Sequence, residues 1–141
     1  MNIIPAPTDG NADLFPVSIK GVLAIDGKVV LLKNERNEWE LPGGKLEPGE
    51  APIECVVREI HEELDLRVNV DCILDAWVYD ILSQVKVLIV TYGCQLMIRN
   101  PISISHEHKA VGMFALDEIE GLNMPDGYKR SIRNYMIQTS S

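Results

Sequence analysis

From Gly43 to Leu66 the chain reads GGKLEPGEAPIECVVREIHEELDL, and this stretch holds the residues best suited to chemistry. Gly44 is followed by Glu50, then by Arg58-Glu59-Ile60-His61-Glu62-Glu63, and Leu66 closes the segment. Between Ala51 and Leu64 the apolar residues Ile53, Val56, Val57, Ile60 and Leu64 recur at helical spacing, and Pro52 suits a first helical turn. At about 100° per residue they form a stripe that faces a core. Glu59, Glu62 and Glu63 fall on the adjoining arc, so three carboxylates are expected to stand together beside the stripe. Like charges three or four residues apart cost about 0.2–0.5 kcal/mol per pair. Acids in a last helical turn also oppose the helix dipole, by roughly 0.3–1 kcal/mol each. A solvated acidic face is the plainer reading of such a run, but a face chosen for stability alone would place Lys or Arg here. A hard divalent cation removes the conflict, because Mg²⁺ prefers oxygen ligands.

The flanking sequence supplies elements to position these acids. Phe15–Ile25 reads as a strand, Asp26-Gly27 as a hairpin turn, and Val29–Leu32 as its partner strand. A charged loop, Lys33–Glu38, leads to Trp39-Glu40-Leu41-Pro42-Gly43-Gly44, whose glycines allow backbone to approach a ligand. After the helix, Arg67–Ile81 is extended, Ser83-Gln84 suggests a turn, and Val85–Leu96 suits a central strand covered on both faces. Arg99–Lys109 reads as a polar loop and Ala110–Leu116 as a strand. Asp117 is expected to cap a short helical turn, and Gly127–Ile137 forms a closing helix. Strands, helix, strands, helix make the class α/β or α+β. Residues 1–14 are expected to be a flexible arm, and residues 15–141 a single domain.

The 141 residues are 46% hydrophobic and 24% charged, with net charge −8. That balance argues against general nucleic-acid binding, which calls for a basic surface. Bound metal can still bring phosphate to an acidic protein. Cys55, Cys72 and Cys94 lie far apart and form no metal motif, so buried reduced thiols in a cytoplasmic protein are expected. No apolar run is long enough for a membrane-spanning helix, and the N-terminus lacks signal-peptide features.

The spacing G-x5-E-x7-R-E-I-x-E-E-x-x-L resembles the box of the Nudix family, with Asp65 in place of the family's Gly. The preceding W-x-L-P-G-G run is similar to the family as well. Asp visits left-handed geometry more readily than most residues, so a positive φ is expected at Asp65. The resemblance implies a mixed β-sheet sandwiched between α-helices. It also implies a hydrolase of acid anhydrides, which cleaves the diphosphate bond of a nucleoside diphosphate linked to another group. Carried over by motif, Glu59, Glu62, Glu63 and the Gly44 carbonyl would bind Mg²⁺ or Mn²⁺, and Arg58 would orient Glu59. Glu59 would ligate metal or position the attacking water. Glu50 would brace the loop and helix. Glu107, within Ser105-His106-Glu107-His108, is the candidate base, although the later acid of many relatives is Ala110 here. Trp39 and Gly43 are candidate substrate contacts, Trp39 being equally readable as core. The alternative from another class is a non-catalytic nucleotide-binding or regulatory domain; a third reading is an isomerase of isoprenoid diphosphates. Markers of ADP-ribose, dinucleoside polyphosphate and NADH hydrolases are absent. A nucleotide or nucleoside-diphosphate-linked partner is therefore the broadest expectation, together with a homodimer.

Overall fold

The computed structural model describes residues 14–81, 85–98 and 110–139. β1 (Val17–Ile25) turns through Asp26-Gly27 into β2 (Lys28–Lys33). Ile25 pairs with Lys28, leaving a two-residue loop in which both residues have positive φ, 53° and 78°. That is the turn whose twist matches paired strands. Short strands β3 (Trp39–Glu40) and β4 (Gly43–Lys45) lead to helix α1 (Pro52–Leu64). The long strands β5 (Arg67–Ile81) and β6 (Val85–Ile98) follow, then β7 (Ala110–Phe114), a short α2 (Leu116–Ile119) and α3 (Asp126–Thr139).

The strands form one mixed sheet in the order β3-β2-β1-β6-β5, with β4 also on β1 and β7 on β2. β1 runs parallel to β6 and antiparallel to β2 and β4. As expected, β6 is interior, between β1 and β5. Alternation sends opposite side chains to opposite faces. Ile19, Leu23, Val30, Leu32, Tyr92 and Cys94 pack with α1 residues Val56, Ile60 and Leu64. Val22, Val29, Leu31 and Ile89 face α2 and α3 through Ile119, Tyr128, Ile132 and Tyr135. Helices thus cover both faces, as the family resemblance implied.

The differences are local. α2 is capped by Ala115, not Asp117, because the Glu118 side chain turns back to accept the Ala115 N–H at 2.9 Å. α1 begins the same way, with Glu54 accepting the Ala51 N–H at 3.0 Å and Pro52 in its first turn. Ile53 is 51% exposed although its angular position matches Ile60. It lies seven residues, about 10 Å, further along the axis, where the packed stretch of α1 has not yet begun. Cys55 and Cys94 are buried free thiols, while Cys72 is half-buried. Residues 1–13, Ser83-Gln84 and the loop expected at 99–109 lie outside the described residues; Leu14, the last residue of the expected arm, is exposed.

Candidate active site

The site forms where α1 meets β4. Positions 55, 59 and 63 recur every four residues and make one row along the helix. This row lies against the glycine strand. The Cys55 thiol donates towards the carbonyls of Gly44 and Lys45 at 3.6 and 3.5 Å. Glu59 lies under Gly44, where a Cβ would come within 2.4 Å of the Glu59 carboxyl carbon. Glu63 is 4% exposed and accepts the Gly43 N–H at 2.7 Å. A side chain at position 44 would therefore displace a site carboxylate. Gly43 has φ 141°, and a Cβ there would meet the Ile19 carbonyl oxygen. Both glycines are required by close approach of backbone and carboxylates.

Arg58 lies beside this row, donates to the Lys45 carbonyl at 3.4 Å and gathers several acids. Its Nε and one terminal nitrogen donate to the two oxygens of Glu50, at 2.6 and 3.0 Å, in a bidentate fork. The other terminal nitrogen donates to Glu59 at 2.9 Å and to Glu62 at 3.2 Å. Such charge-assisted pairs fix orientation as well as charge. The Arg58 fork, with the Glu47 N–H, holds Glu50 well below the ordinary carboxylate range, at about 2. The hydrogen bonds Arg58 donates to Glu50 and Glu59 push its guanidinium upward. Glu59 shifts opposite to Glu50: burial, with the nearby Glu62, raises it despite Arg58 and Lys20.

A cleft of about 390 Å³ opens beside this row, lined by Glu40, Gly43, Gly44, Lys45, Glu59, Glu63 and the 34–36 loop. Glu40 accepts from the Asn34 amide at 3.1 Å and lies 3.9 Å from the Lys20 ammonium. Sequence reasoning passed over Lys20 and Glu40. A lysine inside the otherwise apolar VSIKGVLAI was the available signal for the first; Glu40 had none beyond its place beside Leu41-Pro42.

The three box glutamates differ in exposure, and one terminal nitrogen of Arg58 bridges Glu59 and Glu62. Glu59 and Glu63 line the cleft, while Glu62 is largely exposed and turns to Arg58. The 55/59/63 row faces β4; Glu62 lies about 60° further round the helix from Glu59. Among the described residues no three acidic, His or Cys side chains converge closely enough to hold a metal ion. Trp39 stacks edge-on against Phe114 at 4.8 Å and does not line the cleft. Asp65 caps α1 with φ 57° and ψ 34°, its N–H on the His61 carbonyl. Glu107 and its neighbouring histidines lie outside the described residues.

The site is thus a glycine strand laid on the helical row that carries Glu59 and Glu63, with Arg58 holding Glu59. A model of the NUDIX domain family matches residues 16–135. The chain belongs to the Nudix family. Over 60 residues it is 45% identical to a MutT-like protein of Streptomyces ambofaciens, across 41% of this chain and 39% of that protein. Over 65 residues it is 38% identical to an ADP-ribose pyrophosphatase of Methanocaldococcus jannaschii, across 43% of this chain and 38% of that one. These matches span less than half the length of either relative. Among solved structures, the MutT protein from Methanosarcina mazei Go1 superposes with a TM-score of 0.75 at 22% identity, covering 90% of this chain and 96% of that one. A UDP-X diphosphatase gives 0.73 at 22% identity, covering 94% of this chain and 67% of that one. At such identities the likeness establishes a shared Nudix fold.

Proposed function

We propose that this Nudix chain is a metal-dependent pyrophosphohydrolase that cleaves the diphosphate bond of a nucleoside diphosphate linked to another group, by attack of water at phosphorus. The observation that carries the reading is Glu59: partly buried, pinned by Arg58 and pressed against Gly44 at the edge of an open cleft. A carboxylate so placed gains most from a cation or from a water it can hydrogen-bond. The donors on offer are hard oxygens, which fit Mg²⁺ or Mn²⁺ in kind. Glu59, Glu62, Glu63 and the Gly44 carbonyl are the residues that would hold the ion. When bound, it would neutralise phosphate charge and make water a better nucleophile. Arg58 fixes the direction of Glu59, Glu50 fixes Arg58, and Glu63 fixes the glycine strand that forms the cleft wall. Glu107 remains our candidate for the base. The names of the relatives, an ADP-ribose pyrophosphatase and a CTP pyrophosphohydrolase among them, support the reaction class.

The test is release of phosphate or nucleotide from a panel of nucleoside-diphosphate compounds, with Mg²⁺, with Mn²⁺ and with chelator. Turnover should require the cation. Glu59→Gln should lower kcat by about 10²–10⁴-fold, the usual worth of a positioned acid or base. Metal-dependent turnover that survives Glu62→Gln and Glu63→Gln together would defeat the ligand assignment. Absence of turnover on every compound would favour a binding domain. Cytoplasmic residence and a homodimer belong to the same proposal, the latter checked by sedimentation. Among the described residues no helix is long and apolar enough to cross a membrane.

A further inference from the structure

Lys20 is 7% exposed in the middle of β1, in register with Gly43 of β4. Its ammonium donates to the Gly43 carbonyl at 3.4 Å and lies 3.9 Å from Glu40. At the other end of the same residue, the Gly43 N–H donates to Glu63, 2.7 Å away. One glycine is thus held between a buried cation and a buried carboxylate, each satisfied through its backbone. The preceding peptide is fixed as well, since the Gly21 N–H donates to the Pro42 carbonyl at 2.9 Å. The Gly43 carbonyl belongs to the peptide that enters Gly44, so whatever holds it sets the plane in which Gly44 faces Glu59.

An ordinary core position would not take this side chain. An uncompensated buried ammonium costs several kcal/mol, and an apolar residue of the same length would pack there without that cost. Burial opposes the charge on Lys20, yet Tyr128, Glu40, Glu63 and Glu59 surround it with enough negative character to raise it above its ordinary value. The cation is retained, and its directed contact is to a carbonyl of the site strand. Lys20 does not line the main cleft. It lines a smaller neighbouring cavity of about 90 Å³ that shares Arg36 and Glu40 with the cleft.

We propose that Lys20 is a positioning residue, which acts with Glu63 across Gly43 to fix the Gly43–Gly44 peptide beneath the reacting phosphate. The role rests on the pyrophosphohydrolase reading, and two readouts separate the fate of the two ideas. The first is steady-state hydrolysis by wild type, Lys20→Met and Lys20→Arg on any diphosphate the wild type cleaves. Lys20→Met should lose roughly 10–100-fold in kcat, the usual range for residues that orient a site from behind, with KM little changed. Lys20→Arg should recover part of the loss. An unchanged kcat overturns the proposal. A loss confined to KM overturns it too, because Lys20 would then be touching substrate. The second readout needs no turnover: hydrogen exchange of the Gly43 and Gly44 amides, followed by NMR. Lys20→Met should speed exchange at these two sites while the amides of α3 keep their protection. Unaltered exchange at both glycines overturns the positioning role whether or not the chain hydrolyses anything. If Lys20→Met does not fold, Lys20→Gln keeps a donor without the charge, and the same pair of outcomes decides.

Discussion

Glu50 shows how one residue of the box holds the site without entering the cleft. Both its oxygens are taken by Arg58, which leaves the second terminal nitrogen of the guanidinium for Glu59 and Glu62. The Glu50 carboxyl titrates at about 2 when folded, against an ordinary 4.5. The unfolded chain therefore binds the proton more readily, and the sign follows. The contribution of Glu50 is fully present above about pH 4.5 and is lost as pH falls towards about 2. Glu50→Gln should be less stable than wild type at neutral pH, and the gap should close in acid. Urea denaturation of both proteins at neutral pH and at about pH 3 checks this; a gap of constant size contradicts the pairing. The same substitution frees Arg58, so hydrolysis should fall along with stability at neutral pH.

At the scale of elements, α1 carries both the core stripe and the site row, and its ends decide how well it does so. Its C-cap, Asp65, is left-handed at φ 57°, as its place after the box helix led one to expect. That geometry costs most residues roughly 1–2 kcal/mol and glycine almost nothing. Asp65 also puts negative charge at the negative end of the helix. Asp65→Gly should therefore stabilise the protein by less than the roughly 1–2 kcal/mol cost of left-handed geometry, since Asp tolerates it better than most, and Asp65→Val should destabilise it, with thermal unfolding as the measurement. The row from Cys55 to Glu63 was present in the spacing, but its partner was not. That these three residues meet β4 while Glu62 does not depends on the roll of the helix over the sheet, which is set by Val56, Ile60 and Leu64 settling onto β1, β2 and β6.

At the scale of the molecule, the net charge is −8 and three acids, Glu40, Glu59 and Glu63, line one cleft together with Glu35 of the 34–36 loop. On the proposed function, Mg²⁺ binding only the folded chain stabilises it by about 2.7 kcal/mol at a hundred times Kd. That amounts to several degrees in Tm for a chain of this size. The rise should vanish in the Glu62→Gln, Glu63→Gln protein; a rise equal to that from the same ionic strength of NaCl would reduce the effect to screening. The sequence by itself determined the box helix, its proline start, the hairpin at Asp26-Gly27 and the alternating strands, because each follows from local backbone preference and from periodic burial. It also singled out Arg58, Glu59, Glu62 and Glu63 through their spacing. Only the tertiary structure decided that Glu63 is buried on the Gly43 amide, that Glu62 is left outside on Arg58, that Ile53 is exposed, and that Lys20 and Glu40 join the site. Those outcomes depend on where β4 lies along α1 and on the pairing of Lys20 with Gly43 across two strands 23 residues apart. Spacing along a chain fixes which residues share a face, and contact between distant faces fixes which of them meet.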